Sequence, residues 1–348
     1  MPMSGAPEVC SSSFHPPSAA RAPRLAGVLL AFSAALALLG VSVGSTGFDS
    51  LLQARHDAVA WQIVLDIRLP RTLGAWLAGA LLGLAGAVAQ GLFRNPLAEP
   101  FLLGSASGAT LAVSLSLALM GVPLAAAGWL ARLGLTGAAF IGALGGVLLT
   151  LALARGARHT LRLLLAGVVV SYVLGAAKDL VTLGAPDILQ AMQIFMLGTS
   201  AFAGWASCAL MTAALAACLL AARVLARVLD ALALGEATAH SLGLPLGALR
   251  AALVAALALA TGTAVAQTGL IAFVGLAAPH LVRAIAPMRH AWLLPLSALM
   301  GAVLLLAADL GARWLIAPQE LPVGVLTAVL GGCYLLWLMH RQRMGAAA

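Results

Sequence analysis

Charge is what this sequence has least of. Asp, Glu, Lys and Arg together make up 9% of the 348 residues, and Lys178 is the only lysine. Soluble domains carry about a quarter of their residues as charges, so this chain is not a set of soluble domains. The lack of lysine also excludes a nucleotide-binding P-loop, which needs a glycine before its lysine, because Ala177 precedes Lys178. If ATP drives this protein, another polypeptide hydrolyses it.

Cysteine and metal-ligand patterns are scarce as well. The four cysteines show no C-x-x-C spacing and lie mostly inside apolar runs, so we expect neither a disulfide framework nor a metal site. His280 follows Pro279 with no second ligand residue at a suitable spacing, which favours a packing role. We therefore expect no metal and no cofactor. An intramembrane enzyme is also disfavoured, because no H-E-x-x-H, nucleophile motif or carboxylate pair is present.

Apolar residues are abundant instead, at 62% of the chain, and the mean hydropathy is +1.05. A helix that crosses a bilayer takes about 20 residues, so the chain has room for about ten crossings. The sequence predicts an all-α, polytopic membrane protein. The expected spans are 25–46, 72–91, 101–120, 134–154, 162–184, 202–226, 249–268, 273–286, 293–312 and 323–340.

The basic residues are scattered singly between apolar runs, which is typical of membrane topology and not of a nucleic-acid site. With both ends in the cytoplasm, thirteen Lys and Arg fall on the inner side and six on the outer side. We expect a disordered cytoplasmic tail over residues 1–23, one transmembrane domain over 24–342, and a short cytoplasmic tail over 343–348. The first apolar run is too long for a signal peptide and is expected to remain as a span.

A polar, proline-containing break, QGLFRNPLAEP at Gln90–Pro100, separates two of the apolar runs. Irregular backbone cannot face lipid, so this segment belongs at an interface, inside the protein or beside a water-filled path. The letters AVAQ occur at 87–90 and again at 264–267, in spans of opposite direction, as an inverted repeat or as a coincidence among alanines. Gln90 and Gln267 either line a route or bond across helices.

Several local pairs carry expectations about packing. Glycines at G-x-x-x-G spacing predict close helix contacts, at Gly79/Gly83, Gly104/Gly108 and Gly142/Gly146. Asp309 and Arg313 share one helical face and predict a structural ion pair. Lys178 and Asp179 point about 100° apart on a helix and need not pair. The run 273–286 is short and contains Pro279, so either this helix is broken or the preceding GLIAF extends it.

The largest polar interval between spans runs from Arg227 to Arg250. Within it, Gly235 and Gly243 bracket the helix-compatible stretch EATAHSL, and Pro245 closes it. One interpretation is a plain solvated loop. The other is a surface that meets an energy-supplying partner.

Four blocks of the sequence together resemble one known family. They are RLPRTLGAWLAGALLGLAGAVAQGLFRNPLAEPFLLGSASGA (68–109), LGEATAHSLGLPLG (234–247), GLIAFVGLAAPHLVR (269–283) and the D-x-x-x-R…ELPVGVLTAVLG pattern (309–331). The blocks are similar to those of the FecCD family of permease subunits in bacterial ABC importers of iron–siderophore complexes, haem and cobalamin. The resemblance covers nearly everything after residue 60.

The resemblance implies roles for particular residues. Arg68, Arg71 and Arg313 match arginines that pair with glutamates of a periplasmic substrate-binding protein, although snorkelling helix-end arginines are an equally plain interpretation. Asn95 and Leu97 match positions that close the inner end of the pathway, and an ordinary turn explains them equally well. The segment that docks on the ATPase subunits corresponds to Leu234, Gly235, Glu236, Ala239, Leu242 and Gly243.

The function expected from these observations is that of an ABC importer permease in the bacterial inner membrane. Its expected partners are a second permease copy, two ATPase subunits, a periplasmic binding protein and a metal-chelate cargo, with no nucleic acid. An iron–siderophore is the favoured cargo, and haem or cobalamin is the alternative. An ion-coupled secondary transporter is the second hypothesis. It would need several acids deep in the spans, and the central runs contain almost none.

Overall fold

A computed structural model describes residues 21–44, 47–48, 57–120, 129–154, 160–241, 243 and 245–346. Most of the predicted N-terminal tail, residues 1–20, lies outside these ranges. Residues 21–23 already belong to the first helix. At the other end, residues 343–346 continue the last helix, so the boundary predicted for the C-terminal tail falls inside a helix.

The described chain is helical almost throughout, which confirms the all-α prediction. A two-residue antiparallel pair, β1 (Val43–Gly44) and β2 (Gly47–Phe48), follows the first helix. The helices are α1 (Arg21–Ser42), α2 (Ala58–Ile63), α3 (Leu69–Phe93), α4 (Ser105–Met120), α5 (Trp129–Leu153), α6 (Thr160–Gly184), α7 (Leu189–Leu197), α8 (Trp205–Ala233), α9 (Glu236–Ser241), α10 (Leu246–Thr268), α11 (Val274–Ile285), α12 (His290–Trp314) and α13 (Val323–Ala346).

The predicted spans each correspond to one of these helices. Seven described helices are long and apolar enough to cross a membrane, and three shorter apolar ones, α4, α11 and α13, account for the rest. The central helix is α3, which packs against α8, α10, α11 and α12 and is buried along nearly its whole length. The short helices α7 and α9 are additional to the predicted spans, and α2 continues into α3.

The start of α3 differs from the prediction. The span was expected over 72–91, but the helix begins at Ala58 and runs to Phe93 as one 36-residue element that includes α2 and α3. The five residues Val64–Arg68 form a π-helical turn directly before Pro70. Proline has no N–H and its ring crowds the preceding turn, so a wider turn at this point lets the helix continue through it.

Close glycine contacts hold the helices together, as the G-x-x-x-G spacing predicts. A β-carbon on Gly79 would collide with the Gly301 carbonyl oxygen, so α3 and α12 touch through their backbones. Gly108 and Gly142 meet in the same way between α4 and α5, and Gly104 meets Gly146. In lipid, where no hydrophobic effect drives helices together, such close approach supplies the packing energy.

The stretch GLIAF, residues 269–273, is not helical, so it does not extend α11. Its backbone groups are nevertheless paired inside the protein. Leu270 N–H donates to the Phe195 carbonyl at 3.1 Å, and Thr199 N–H donates to the Thr268 carbonyl at 2.8 Å. Pro279 lies inside α11 without ending it. The α11 helix is therefore short because an irregular, internally bonded segment precedes it.

The two AVAQ copies lie at the ends of α3 and α10, each followed by an irregular segment. Both glutamines are buried and bond across helices, since Gln267 Nε2 donates to Thr136 Oγ1 at 2.8 Å and Gln90 Nε2 donates to the Leu276 carbonyl at 3.3 Å. Of the two interpretations left open for these side chains, the structure gives the cross-helix bond.

Two glycines of α5 provide a matched test of the packing. Gly142→Ala would push a methyl group into the Gly108 carbonyl, whereas a β-carbon on Gly145 meets no atom within 4 Å. We expect Gly142→Ala to destabilise the protein by about 1–3 kcal/mol. Gly145→Ala should be neutral or stabilising by up to about 1 kcal/mol. Thermal unfolding in detergent measures both, and equal behaviour of the pair would contradict the contact.

Candidate functional site

A buried ionic cluster joins one set of helix ends. At its centre is Asp309 of α12, whose side chain is fully buried. One carboxylate oxygen forms an ion pair with the Arg313 guanidinium, and the other accepts a hydrogen bond from the Ser200 hydroxyl. This confirms the predicted pair between Asp309 and Arg313. Burial of both groups without pairing would cost several kcal/mol, so the two side chains depend on each other.

The cluster extends through Arg71 of α3. Its Nη1 donates to both carboxylate oxygens of Glu320, at 2.9 and 2.8 Å, and its Nη2 lies 3.4 Å from Asp309. On the other side, Arg313 Nη1 donates to the Gly40 carbonyl of α1 at 2.9 Å. The cluster therefore ties α1, α3, α12 and the segment before α13 together.

The three arginines predicted to dock a binding protein differ in burial. Arg313 is 2% exposed and is enclosed by its own chain, so its guanidinium is not presented to a partner protein in this conformation. A helix-end arginine looks the same in sequence whether it snorkels or pairs internally, and the docking role of Arg313 remains a prediction. Arg71 is 11% exposed and ion-paired, and Arg68, half-buried, donates to the Ser42 carbonyl at 3.4 Å.

The predicted break after α3 is a compact turn. Arg94 ends the helix in the left-handed region, at φ 50°. The Asn95 side chain accepts a hydrogen bond from the Leu97 N–H at 3.0 Å, which is the local bond that favours asparagine in turns. Leu97 is 49% exposed. Both predicted gate residues thus lie together at this end of α3, and their role in closure remains a prediction.

Glu99, which no prediction singled out, connects this break to the second irregular segment. Its carboxylate is buried and accepts a hydrogen bond from the Phe273 N–H at 2.7 Å. Phe273 has φ 67°, a backbone conformation that costs a bulky residue about 1–3 kcal/mol. Burial raises the pKa of the Glu99 carboxyl, and the bond from Phe273 opposes that rise. The acceptor oxygen helps hold the strained residue in place.

Two further polar contacts surround the same end of α3. Arg283 of α11 donates to the Gln90 side-chain oxygen. Asp230, near the end of α8, accepts the His290 backbone N–H at 3.1 Å, and His290 Nδ1 lies 2.7 Å from the same oxygen. The partners in these two contacts are far apart in sequence, so no local sequence pattern predicts the contacts.

The segment between α8 and α10 contains the predicted short helix. Gly235 and Gly243, at φ 112° and 72°, bend the chain on either side of α9. Leu234 is 72% exposed and Ala239 is fully buried, so the segment presents one apolar side chain outward and anchors itself with another. Glu236 is the first residue of α9. Leu242 lies outside the described residues.

These features define a class of protein. A bundle of apolar helices that has buried irregular breaks and is held by polar contacts at its ends is typical of a membrane permease.

Comparison with known proteins identifies the particular family. A model described as the FecCD transport family matches residues 27–341. The hemin transport system permease protein HmuU of Yersinia pestis is 40% identical over 92% of this chain and 97% of its own. The vitamin B12 import system permease protein BtuC of Salmonella paratyphi A is 41% identical over 84% of this chain and 86% of its own.

A solved structure of a metal-chelate type ABC transporter in an inward-facing conformation has the same fold. Its TM-score is 0.79 at 28% identity, over 92% of this chain and 99% of that one. The chain belongs to the FecCD family and is the permease subunit of an ABC importer.

The ionic cluster makes a prediction about stability. Asp309→Ala should destabilise the protein by about 3–5 kcal/mol, because it leaves the Arg313 charge buried without its partner. The double variant Asp309→Leu, Arg313→Met removes both charges and should recover most of that loss. Thermal unfolding followed by size-exclusion chromatography measures each protein, with exposed Asp187→Ala as the control. A double variant no more stable than the single one would show that the pairing is not the stabilising interaction.

The hydrogen bond from the Phe273 N–H to Glu99 gives a second prediction about stability. Glu99→Ala leaves the Phe273 N–H without an acceptor and should cost about 1–3 kcal/mol. Glu99→Gln keeps an acceptor oxygen and resembles the protonated acid, so it should stay close to the parent protein in unfolding temperature. Equal losses in the two variants would indicate that the charge, and not the accepted hydrogen bond, matters.

Proposed function

We propose that the chain, paired with a second copy, forms the conduit of an importer for a metal chelate. Two separate ATPase subunits would drive it, and a binding protein would deliver the cargo. The supporting observation is that relatives named for hemin and for vitamin B12 both align over most of their length. Hemin and vitamin B12 each hold a metal ion in a large organic ligand, so a metal chelate is the class of cargo that they share. An iron chelate is the favoured cargo, because the hemin relative is matched over the larger share of both chains.

The proposed orientation places the chain in the bacterial inner membrane with both termini in the cytoplasm. The distribution of basic residues supports this orientation. The ionic cluster then lies at the outer ends of the helices, and the break at Asn95 and Leu97 lies at the inner end as the proposed gate. Arg68 and the small exposed part of the Arg71 side chain are the proposed contacts for the binding protein. The buried Arg313 would support them from below through Asp309.

The proposed contact with the ATPase subunits is the segment from Leu234 to Gly243. An apolar side chain as exposed as Leu234, placed in a polar connection and not in a span, is typical of a protein contact surface. The glycines on either side of α9 set its angle to α8 and α10. Nucleotide-driven movement of the ATPases would thereby become rigid-body movement of the helices.

Uptake into proteoliposomes tests the function. The permease is reconstituted with its ATPase subunits, and loaded binding protein is added outside with ATP inside. Haemin, a ferric siderophore and cobalamin are compared as cargoes. ATP-dependent, vanadate-sensitive uptake of one of them is the expected result. Uptake that an ionophore abolishes and vanadate does not would favour the secondary transporter, and uptake without any ATPase subunit would overturn the proposal.

Leu234 provides a mutational test of coupling. Leu234→Asp should place a charge in the ATPase contact and reduce both ATPase co-purification and uptake at least about tenfold, a loss of about 1.4 kcal/mol. Its unfolding temperature should stay unchanged, because the side chain is exposed. The matched control is Leu315→Asp, also an exposed leucine at 60% but next to the opposite end of α12. Normal ATPase binding by Leu234→Asp would remove this residue from the contact.

A further inference from the structure

An open cleft lies between the end of α6 and the short helix α7, apart from the gate and the coupling segment. Its volume is about 520 Å³, within the usual range of ligand pockets. Its polar lining residues are Lys178, Asp179, Thr182 and Gln193, and two flexible methionines, Met192 and Met196, contribute to the apolar wall. A few polar groups set in an apolar wall are typical of a small-molecule site.

The ion pair in this cleft departs from expectation. Neighbouring residues on a helix point about 100° apart, yet Lys178 Nζ lies 2.6 Å from the Asp179 carboxylate. The lysine side chain is 14% exposed and the aspartate is 66% exposed. Because the Asp179 carboxylate is open to solvent, the pair contributes little to stability, about 0–1 kcal/mol, and stability alone does not explain two charges in an apolar span. Charged side chains inside an apolar span often mark a polar path or a ligand site.

The position of Lys178 within the chain also supports a ligand site in this cleft. It is the only lysine of the protein, and it lies in a helix whose other described side chains are mostly apolar. The Thr182 hydroxyl donates to the Lys178 carbonyl at 2.9 Å, so that hydroxyl is directed along the helix, and the ammonium is the one cationic donor among the lining residues. Met196, which is 42% exposed, can adapt to ligands of different shape, because methionine is unbranched and flexible.

We propose that this cleft is a transient binding site for a carboxylate group of the cargo during passage. The Lys178 ammonium would exchange the Asp179 carboxylate for that of the chelate. Asp179 would then repel the bound carboxylate and favour its release. A conduit needs this balance, since a site must bind strongly enough to admit its cargo and weakly enough to let it leave. The inference rests on the proposed function and names the charge class of the cargo.

The test compares haemin, whose propionates are free, with haemin dimethyl ester in the uptake assay described above. Binding-protein loading is measured separately for each cargo. Lys178→Met removes the charge at similar length and should raise the KM for haemin about tenfold, as expected for loss of one charge-assisted hydrogen bond, while changing the KM for the ester little. Lys178→Arg should restore most of the haemin affinity. Asp179→Asn should lower the KM and also lower kcat, because release becomes slower.

The controls separate this site from other roles. Asp187→Asn, an exposed acid just before α7, should behave as the parent protein. An equal effect of Lys178→Met on acid and ester would overturn the proposal in favour of a structural pair. So would loss of the permease dimer in that variant, or an effect seen only in vesicles with anionic lipid. If the parent complex takes up haemin normally and Lys178→Met does too, only the site fails. If the parent complex shows no ATP-driven uptake, both proposals fail.

Discussion

The structure depends on one constraint, which is that backbone N–H and C=O groups must be paired wherever water is absent. Helices satisfy it internally, and the irregular segments satisfy it through each other. Thr199 N–H bonds to the Thr268 carbonyl, Leu270 N–H to the Phe195 carbonyl, and Phe273 N–H to the Glu99 carboxylate. Three breaks in the helical pattern can therefore exist within a membrane bundle, because the described chain folds them against one another.

Charged side chains must also be paired where water is absent. They form two sets, which lie at opposite ends of the helices. One set, centred on Asp309, joins α1, α3, α12 and the segment before α13. The other, at Asp230 and Gln90, joins α3, α8, α11 and α12 at their opposite ends. Between the two sets the helices touch through glycines such as Gly79 and Gly301. Polar bonds fix the ends of the helices, and close backbone contacts hold the middle.

Whether a feature could be predicted from the sequence depends on how far apart along the chain the interacting residues lie. Spans come from hydropathy alone, and the Asp309–Arg313 pair comes from local spacing, so both were predicted. The bond from Phe273 to Glu99 joins residues 174 positions apart, and no local pattern contains it. The π-helical turn was missed because Pro70 after a polar stretch resembles a helix start. The burial of Arg313 was not predicted, because it depends on Gly40 and Thr72, which lie on other helices.

The same contacts give the proposed coupling a physical route. Leu234 lies one turn beyond Asp230 in chain order, and Asp230 holds the first residue of α12 through its backbone N–H. On the other side of α9, helix α10 leads into the segment that ends at Phe273, whose N–H is bonded to Glu99. Glu99 follows Asn95 and Leu97 within the break. A displacement of α9 would thus reach α12 through one hydrogen-bonded carboxylate and the proposed gate through another, and this is the route across the bundle that the proposed coupling would use.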